Sequence, residues 1–295
     1  MRIHTLDLRF IGIPGLIASY LVESDGEFAL IETGPGSTLK TLREAIRAAG
    51  VDESAIKKVF VTHIHLDHAG AAGWFAQNGA TIYCHPNAAR HLIDPSKLME
   101  SARMVYGDQM DALWGEMLPA PAEHVVSLQD NERVKFGEVE IIAWDTPGHA
   151  RHHHAFIIDD ACFTGDVAGM RLENSRYLSV TSAPPQFDPV AYSQSIDRLL
   201  AANFKALYLT HFGRVDDVQW HLTTYRQRVN EVYERVAADF RAGISVEENR
   251  RRYALAEHEI ATKAGVSEEL WRKGEGANVT SMCADGVRLY CEKGR

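Results

Sequence analysis

The sequence predicts an α/β fold, and three observations carry the prediction. Short apolar runs alternate with segments of helical period. Four of those runs end on a threonine with a histidine or aspartate close behind. One of the four delivers a dense cluster, Val61-Thr62-His63-Ile64-His65-Leu66-Asp67-His68-Ala69-Gly70, with three histidines and an aspartate in six residues. Imidazole and carboxylate at this density suit divalent metal. In an extended segment His63 and His65 project to one side and can reach one ion. Asp67 and His68 follow where the chain turns toward a helix, which lets them point at a second.

Composition narrows the class. The chain of 295 residues accommodates one large domain, or one domain with an appendage. Its 45% apolar and 24% charged content is ordinary for a globular protein, and the formal charge of −9 argues against a general nucleic-acid binder. Cys84, Cys162, Cys283 and Cys291 form no CxxC pair, which fits a reducing compartment, and Cys84 and Cys162 sit in apolar runs as buried thiols. The run from Ile11 to Val22 is interrupted by Gly12, Pro14 and Gly15, follows Asp7, and lacks a small-x-small cleavage pattern. No stretch approaches the ~20 apolar residues of a membrane span. The expectation is a cytoplasmic protein with a small-molecule substrate, no nucleic acid and no membrane.

Along the chain, strands are predicted at residues 3–8, 17–22 and 28–31, with a turn at Asp25-Gly26. Ser37 is placed to cap a helix carrying Leu39, Leu42 and Ile46, stopped by Gly50. A strand at 59–62 delivers the cluster, a helix follows over 69–77, and 81–84 is a strand. Residues 86–121 are helical and rich in methionine (Met99, Met104, Met110, Met117), read as packing or as an adaptable wall over a pocket. Strands resume at 134–136, 139–144, 156–158 and 161–164. Asp188-Pro189 marks a helix start, and 206–210 is a strand. Beyond Gly213 the chain is helical. Val218, Leu222, Tyr225, Val229, Val232 and Val236 make a packing stripe that suits a homodimer seam or a hairpin within the chain. The soft boundary gives residues 1–215 and 216–295. Arg250-Arg251-Arg252 reads as a solvated helix face.

The four strand ends are the functional signal: Thr62 precedes His63, Thr146-Pro147-Gly148 precedes His149, Thr164-Gly165 precedes Asp166, and Thr210 precedes His211. In layered α/β folds, ligands gather at strand ends on one edge. With these residues in view, the sequence resembles the metallo-β-lactamase superfamily in its two-metal branch (glyoxalase II and lactonase-like), over about residues 15–212. The resemblance implies an αββα four-layer sandwich with a C-terminal helical extension. It also implies that His63, His65 and His149 hold one metal, Asp67, His68 and His211 the second, and Asp166 bridges them. Zinc is the leading metal, with iron and manganese chemically compatible. Where the family often has aspartate before Thr-Gly, this chain has Glu32, a methylene longer, which changes the support behind the ligands. Of His152-His153-His154, His153 faces opposite to its neighbours in a strand, and one of the three is a candidate for the substrate pocket.

The implied chemistry is hydrolysis by a metal-bridging hydroxide on a thioester, lactone or other small ester, with Asp67 orienting the hydroxide and passing a proton to the leaving group. Gly34-Pro35-Gly36 lacks the flanks of a phosphate loop. The branch of exported β-lactamases usually lacks the bridging aspartate, and the flavodiiron branch carries a glutamate where this chain has His65. The rivals are a mononuclear iron enzyme resembling persulfide dioxygenases and a phosphodiesterase.

Overall fold

Strand pairing divides the chain into two mixed sheets, seen in a computed structural model that describes residues 1–173 and 175–294. The first runs β1 (Arg2–Asp7), β2 (Ala18–Ser24), β3 (Glu27–Ile31), β4 (Ile56–Phe60), β5 (Thr81–Cys84), β6 (Val125–Ser127) in that spatial order. The second runs β7 (Arg133–Phe136), β8 (Val139–Asp145), β9 (His154–Ile158), β10 (Ala161–Met170), β11 (Ala206–His211), β12 (Gly213–Val215), also in chain order across the sheet. Pairings from β3 to β6 are parallel, as is β10 with β11; the others are antiparallel.

Side-chain alternation explains the layers. In β2, Tyr20 and Val22 point into the space between the sheets while Leu21 points outward; in β3, Ala29 and Ile31 point inward and Leu30 outward. The second sheet repeats this, with Phe163 and Tyr208 inside and Cys162, Leu207 and Leu209 outside. Both faces are therefore buried, which is why these strands read as continuous apolar runs. Aromatic side chains fill the middle: Phe60 meets Phe156 edge-on at 5.2 Å, and Tyr20 meets Phe163 at 5.4 Å. Helices Leu39–Ala48, Ala72–Gln77 and Pro86–Ile93 cover the outer face of the first sheet through Leu42, Ile46, Phe75 and Leu92. Helices Pro189–Ala201, Val218–Arg241, Val246–Lys263 and Thr280–Glu292 cover the second through Ile196, Leu222, Tyr253 and Val287. This is the αββα sandwich with C-terminal helices.

Several expectations are met locally. Asp188 caps its helix, its carboxylate accepting from the amides of Val190 and Ala191 at 3.0 and 3.1 Å, with Pro189 at the first helical position. The stripe from Val218 to Val236 is buried against the second sheet, so it is covered within the chain. Arg250, Arg251 and Arg252 pair with Asp285, Glu248 and Asp239. Cys84 and Cys162 are free and buried. Among the described residues no helix is long and apolar enough to cross a membrane.

Three expectations are corrected. Ser37 is not the helix cap. A 3-10 turn, Gly36–Thr38, intervenes, and the Ser37 hydroxyl donates to the Leu113 carbonyl at 2.6 Å because the methionine-rich segment lies against it. The helix expected over 69–77 is two helices, Leu66–Ala69 and Ala72–Gln77. Asp166 lies inside β10 rather than past its end, because the strand continues to Met170 through a register shift at Gly165.

Candidate metal centre

Every predicted ligand comes from the same edge of the two sheets. His63 and His65 lie on the turn after β4, and Asp67 and His68 in the short helix Leu66–Ala69 that follows. His149 comes from the Thr-Pro-Gly turn after β8, Asp166 from the shifted stretch of β10, and His211 from the end of β11. Gly165 permits the last step. It has φ of +50°, and a side chain there would meet Thr62 Oγ1 at 2.5 Å and His153 Nε2 at 2.7 Å.

The donor atoms fall into two overlapping sets. His65 Nδ1 lies 3.0 Å from His63 Nε2 and 2.9 Å from His149 Nε2. His211 Nε2 lies 3.3 Å from Asp67 Oδ2, and His68 Nε2 lies 3.6 Å from the same oxygen. Asp166 sits between the sets, with Oδ2 3.4 Å from His149 Nε2 and Oδ1 3.2 Å from His68 Nε2 and 3.5 Å from His211 Nε2. All seven expected residues meet here, and all but the partly exposed His65 and Asp67 are buried.

Outer partners determine which nitrogen faces inward. His149 Nδ1 donates to the Thr181 carbonyl at 2.8 Å, and His211 Nδ1 to the Leu16 carbonyl at 2.9 Å. His68 Nδ1 donates to Glu32 Oε1 at 3.0 Å. The Thr62 hydroxyl donates to Glu32 and accepts from His63 Nδ1 at 3.0 Å. With each Nδ1 committed outward, four Nε2 atoms face inward. The donor separations around these atoms, 2.9 to 3.6 Å, bracket the roughly 3.3 Å edge of a tetrahedron with 2.0–2.1 Å Zn–N bonds. His68 Nε2 and Asp166 Oδ1 are buried with no hydrogen-bond partner, the kind of unmet bonding that a metal ion satisfies. The group of His63, His65 and His149, that of His63, His68 and Asp166, and that of Asp67, His68 and His211 each bring three donor atoms close enough to hold a metal ion.

Electrostatics divide the histidines. Burial, reinforced by neighbouring imidazoles, holds His63 and His65 well below the usual histidine range. Burial also opposes charge on His68 and His211, but the surrounding carboxylates Asp67 and Asp166 overcome it and raise both. Burial alone would raise Asp67, yet His68 and His211 hold it at about 2.

Glu32 is a hub, reached also by the Thr210 hydroxyl at 3.3 Å and the Thr62 amide at 3.3 Å. His153 accepts from the Asp166 amide at 3.1 Å and donates to Thr146 Oγ1 at 2.8 Å, so it positions the strand that carries Asp166. Three of the four threonines before the ligands thus serve as connectors, and their repetition at strand ends was the available signal. Tyr106 escaped the sequence. It reaches the site's surroundings from helix Ser96–Tyr106, touching Met282 Sδ at 3.8 Å, and burial followed by the charge of Asp67 raises its phenol. His85, Asp145 and His154 also come together. There the His85 Nδ1 lone pair is taken by the Asn87 amide at 3.0 Å, and its Nε2 lies 3.4 Å from Asp145 Oδ1.

A family model for the metallo-beta-lactamase superfamily matches residues 12–211, which include all seven of these side chains. The chain belongs to this superfamily. Its members are mainly metal-dependent hydrolases. A metallo-beta-lactamase fold-containing protein, ST1585 of Sulfurisphaera tokodaii, is 26% identical over 72% of this chain and 79% of its own length. A hydroxyacylglutathione hydrolase of Xanthomonas axonopodis pv. citri is 30% identical over 61% of this chain; the match spans 58% of that hydrolase. Among solved structures, a metallo-beta-lactamase family protein from Thermus thermophilus superposes with a TM-score of 0.70 at 19% identity, covering 99% of this chain and 93% of that one. That likeness shows the fold, including the C-terminal helices.

Proposed function

We propose that this superfamily member is a dinuclear metal-dependent hydrolase of ester-type bonds: thioesters, lactones or other small esters. The observation that carries the reading is the Asp166 carboxylate, which offers one oxygen to each of two converging donor sets. His63, His65 and His149 would hold one cation and Asp67, His68 and His211 the other, with zinc first and iron or manganese compatible. When bound, such a pair supplies Lewis acidity and acidifies water at neutral pH. The chain's own residues do the rest. Glu32, Thr62, Thr181 and the Leu16 carbonyl keep the imidazoles oriented. Asp67, held ionised beside His211 and partly exposed, accepts the proton of the attacking water and delivers it to the leaving group. Resemblance to hydroxyacylglutathione hydrolases favours a thioester within this range. Residues 1–215 would supply the whole ligand set and residues 216–295 would brace the second sheet and border the mouth. Four free thiols fit a cytoplasmic setting.

Elemental analysis of the purified protein, followed by assays on thioesters, lactones and phosphodiesters, tests the reading. Close to two metals per chain with hydrolysis of an ester is the expected result. One iron per chain with oxygen uptake on a persulfide would replace it with the oxidoreductase.

A further inference from the structure

A cavity of about 430 Å³ lies between helix Pro86–Ile93, the turn that carries His149, and the C-terminal helix. Its wall includes Gly148, the residue next to His149, and His152, whose ring is 5.8 Å from that of His65. Lys293 also lines it. In a chain of net charge −9 this wall is cationic, carrying Arg90, Arg151 and Lys293. Among the described residues that line it, Asp188 is the one acidic side chain, and its Oδ1 is engaged by the amides of its own helix.

The arginines are distinguished by their lack of a carboxylate partner. Among the described residues every arginine forms an ion pair with a carboxylate except Arg9, Arg90 and Arg151, and two of those three line this cavity. Arg90 donates only to His91 Nε2, at 3.1 Å. His152 adds a buried Nδ1 without a hydrogen-bond partner. Both arginines are exposed, so their guanidinium groups, unmatched by any carboxylate among the described residues, are open to an anion from outside. Guanidinium groups take a carboxylate or phosphate by paired hydrogen bonds that a hydrated ammonium does not match.

We infer that this cavity holds an oxyanion, carboxylate or phosphate, on the far end of the substrate, gripped by Arg90 and Arg151 while the scissile bond lies at the metal ligands. The inference names the substrate class for the hydrolase proposed above and rests on that reading for its catalytic test.

Two measurements test it on the full-length, metal-loaded protein. Calorimetric titration with glutarate and with inorganic phosphate reads the site without turnover. Saturable binding of either is expected, its identity separating carboxylate from phosphate, and about tenfold or greater loss is expected in an Arg90→Gln/Arg151→Gln double variant of unchanged metal content and melting temperature. No saturable binding of either anion, or equal binding by the variant, overturns the inference. The second compares phenyl thioesters of glutaric and valeric acids, alike in length but only one anionic. A higher kcat/KM for the glutaryl ester, carried by KM and collapsing toward equality in the double variant, supports the anion site. Equal kcat/KM for the two esters in the unaltered protein overturns it. If neither ester is cleaved, the hydrolase reading fails, and the titration still decides the cavity.

Discussion

Two regions bury charged and polar groups, and they treat them differently. At the strand-end edge, His68 Nε2 and Asp166 Oδ1 are buried without a hydrogen-bond partner, and the inward ring nitrogens of His63, His65 and His149 face one another. Among the C-terminal helices, Glu257 is just as buried, but its carboxylate receives Arg228 Nη2 at 2.6 and 2.7 Å, Arg235 at 3.1 Å and the Tyr177 hydroxyl at 2.9 Å. The second arrangement is closed and joins helix Val218–Arg241, helix Val246–Lys263 and the loop after β10. The first is incomplete by itself. Burial of charge marks structure when the charges answer each other, and a binding site when they are left for something else.

The contrast can be broken at either end. The largest effect is expected from Asp166→Ala: metal content and activity should fall together, by on the order of a thousandfold in kcat/KM. Metal content unchanged by mass spectrometry would remove Asp166 from between the two sets. Next is Glu257→Ala, which removes the buried partner of Arg228, leaving it only the exposed Glu231 among the described carboxylates, and should cost about 3–5 kcal/mol of stability. Denaturant unfolding measures it, and the folded fraction should retain its full metal.

A third test uses pH. His221 donates to the Ala168 carbonyl at 2.8 Å, and burial lowers its pKa from 6.5 to about 4. Above pH 6.5 it is neutral folded or unfolded. Below that, the unfolded chain takes up a proton that the folded one refuses until about pH 4, so stability falls across this window by up to about 3 kcal/mol. His221→Gln should flatten that part of the profile; parallel unfolding curves of both proteins from pH 7 to 4 would refute the assignment. The smallest effect is expected from Glu32→Asp, which withdraws the carboxylate by a methylene from His68 and Thr62 and should weaken metal binding by about 10–100-fold. Competition with a chelator reads it directly.

Much of this was legible in the residues. The ligands stand in plain view because each follows a threonine at the end of an apolar run, and Thr62, Thr146 and Thr210 prove to be hydrogen-bonding connectors. Asp188-Pro189 is readable because a cap acts within three residues. Ser37 misleads for the same reason: locally it is a good cap, but the carbonyl of Leu113, 76 residues away, takes its hydroxyl. Tyr106 carries no local signature, since only packing brings it toward Asp67 and Met282. The resting place of the Val218–Val236 stripe was equally undetermined, because a partner chain and the second sheet present the same apolar surface to it.

By itself the sequence determined the chemistry available: seven donors, the strand–helix alternation that spaces them, and a net charge of −9. Tertiary structure decided which nitrogen each histidine turns inward, that Asp166 stands between two donor sets, and that Arg90 and Arg151 share a cavity wall. The physical reason is range. Periodicity and capping act over a few residues, whereas the contacts that orient His149 and His211 join groups 32 and 195 residues apart, and only the stacked sheets bring those together.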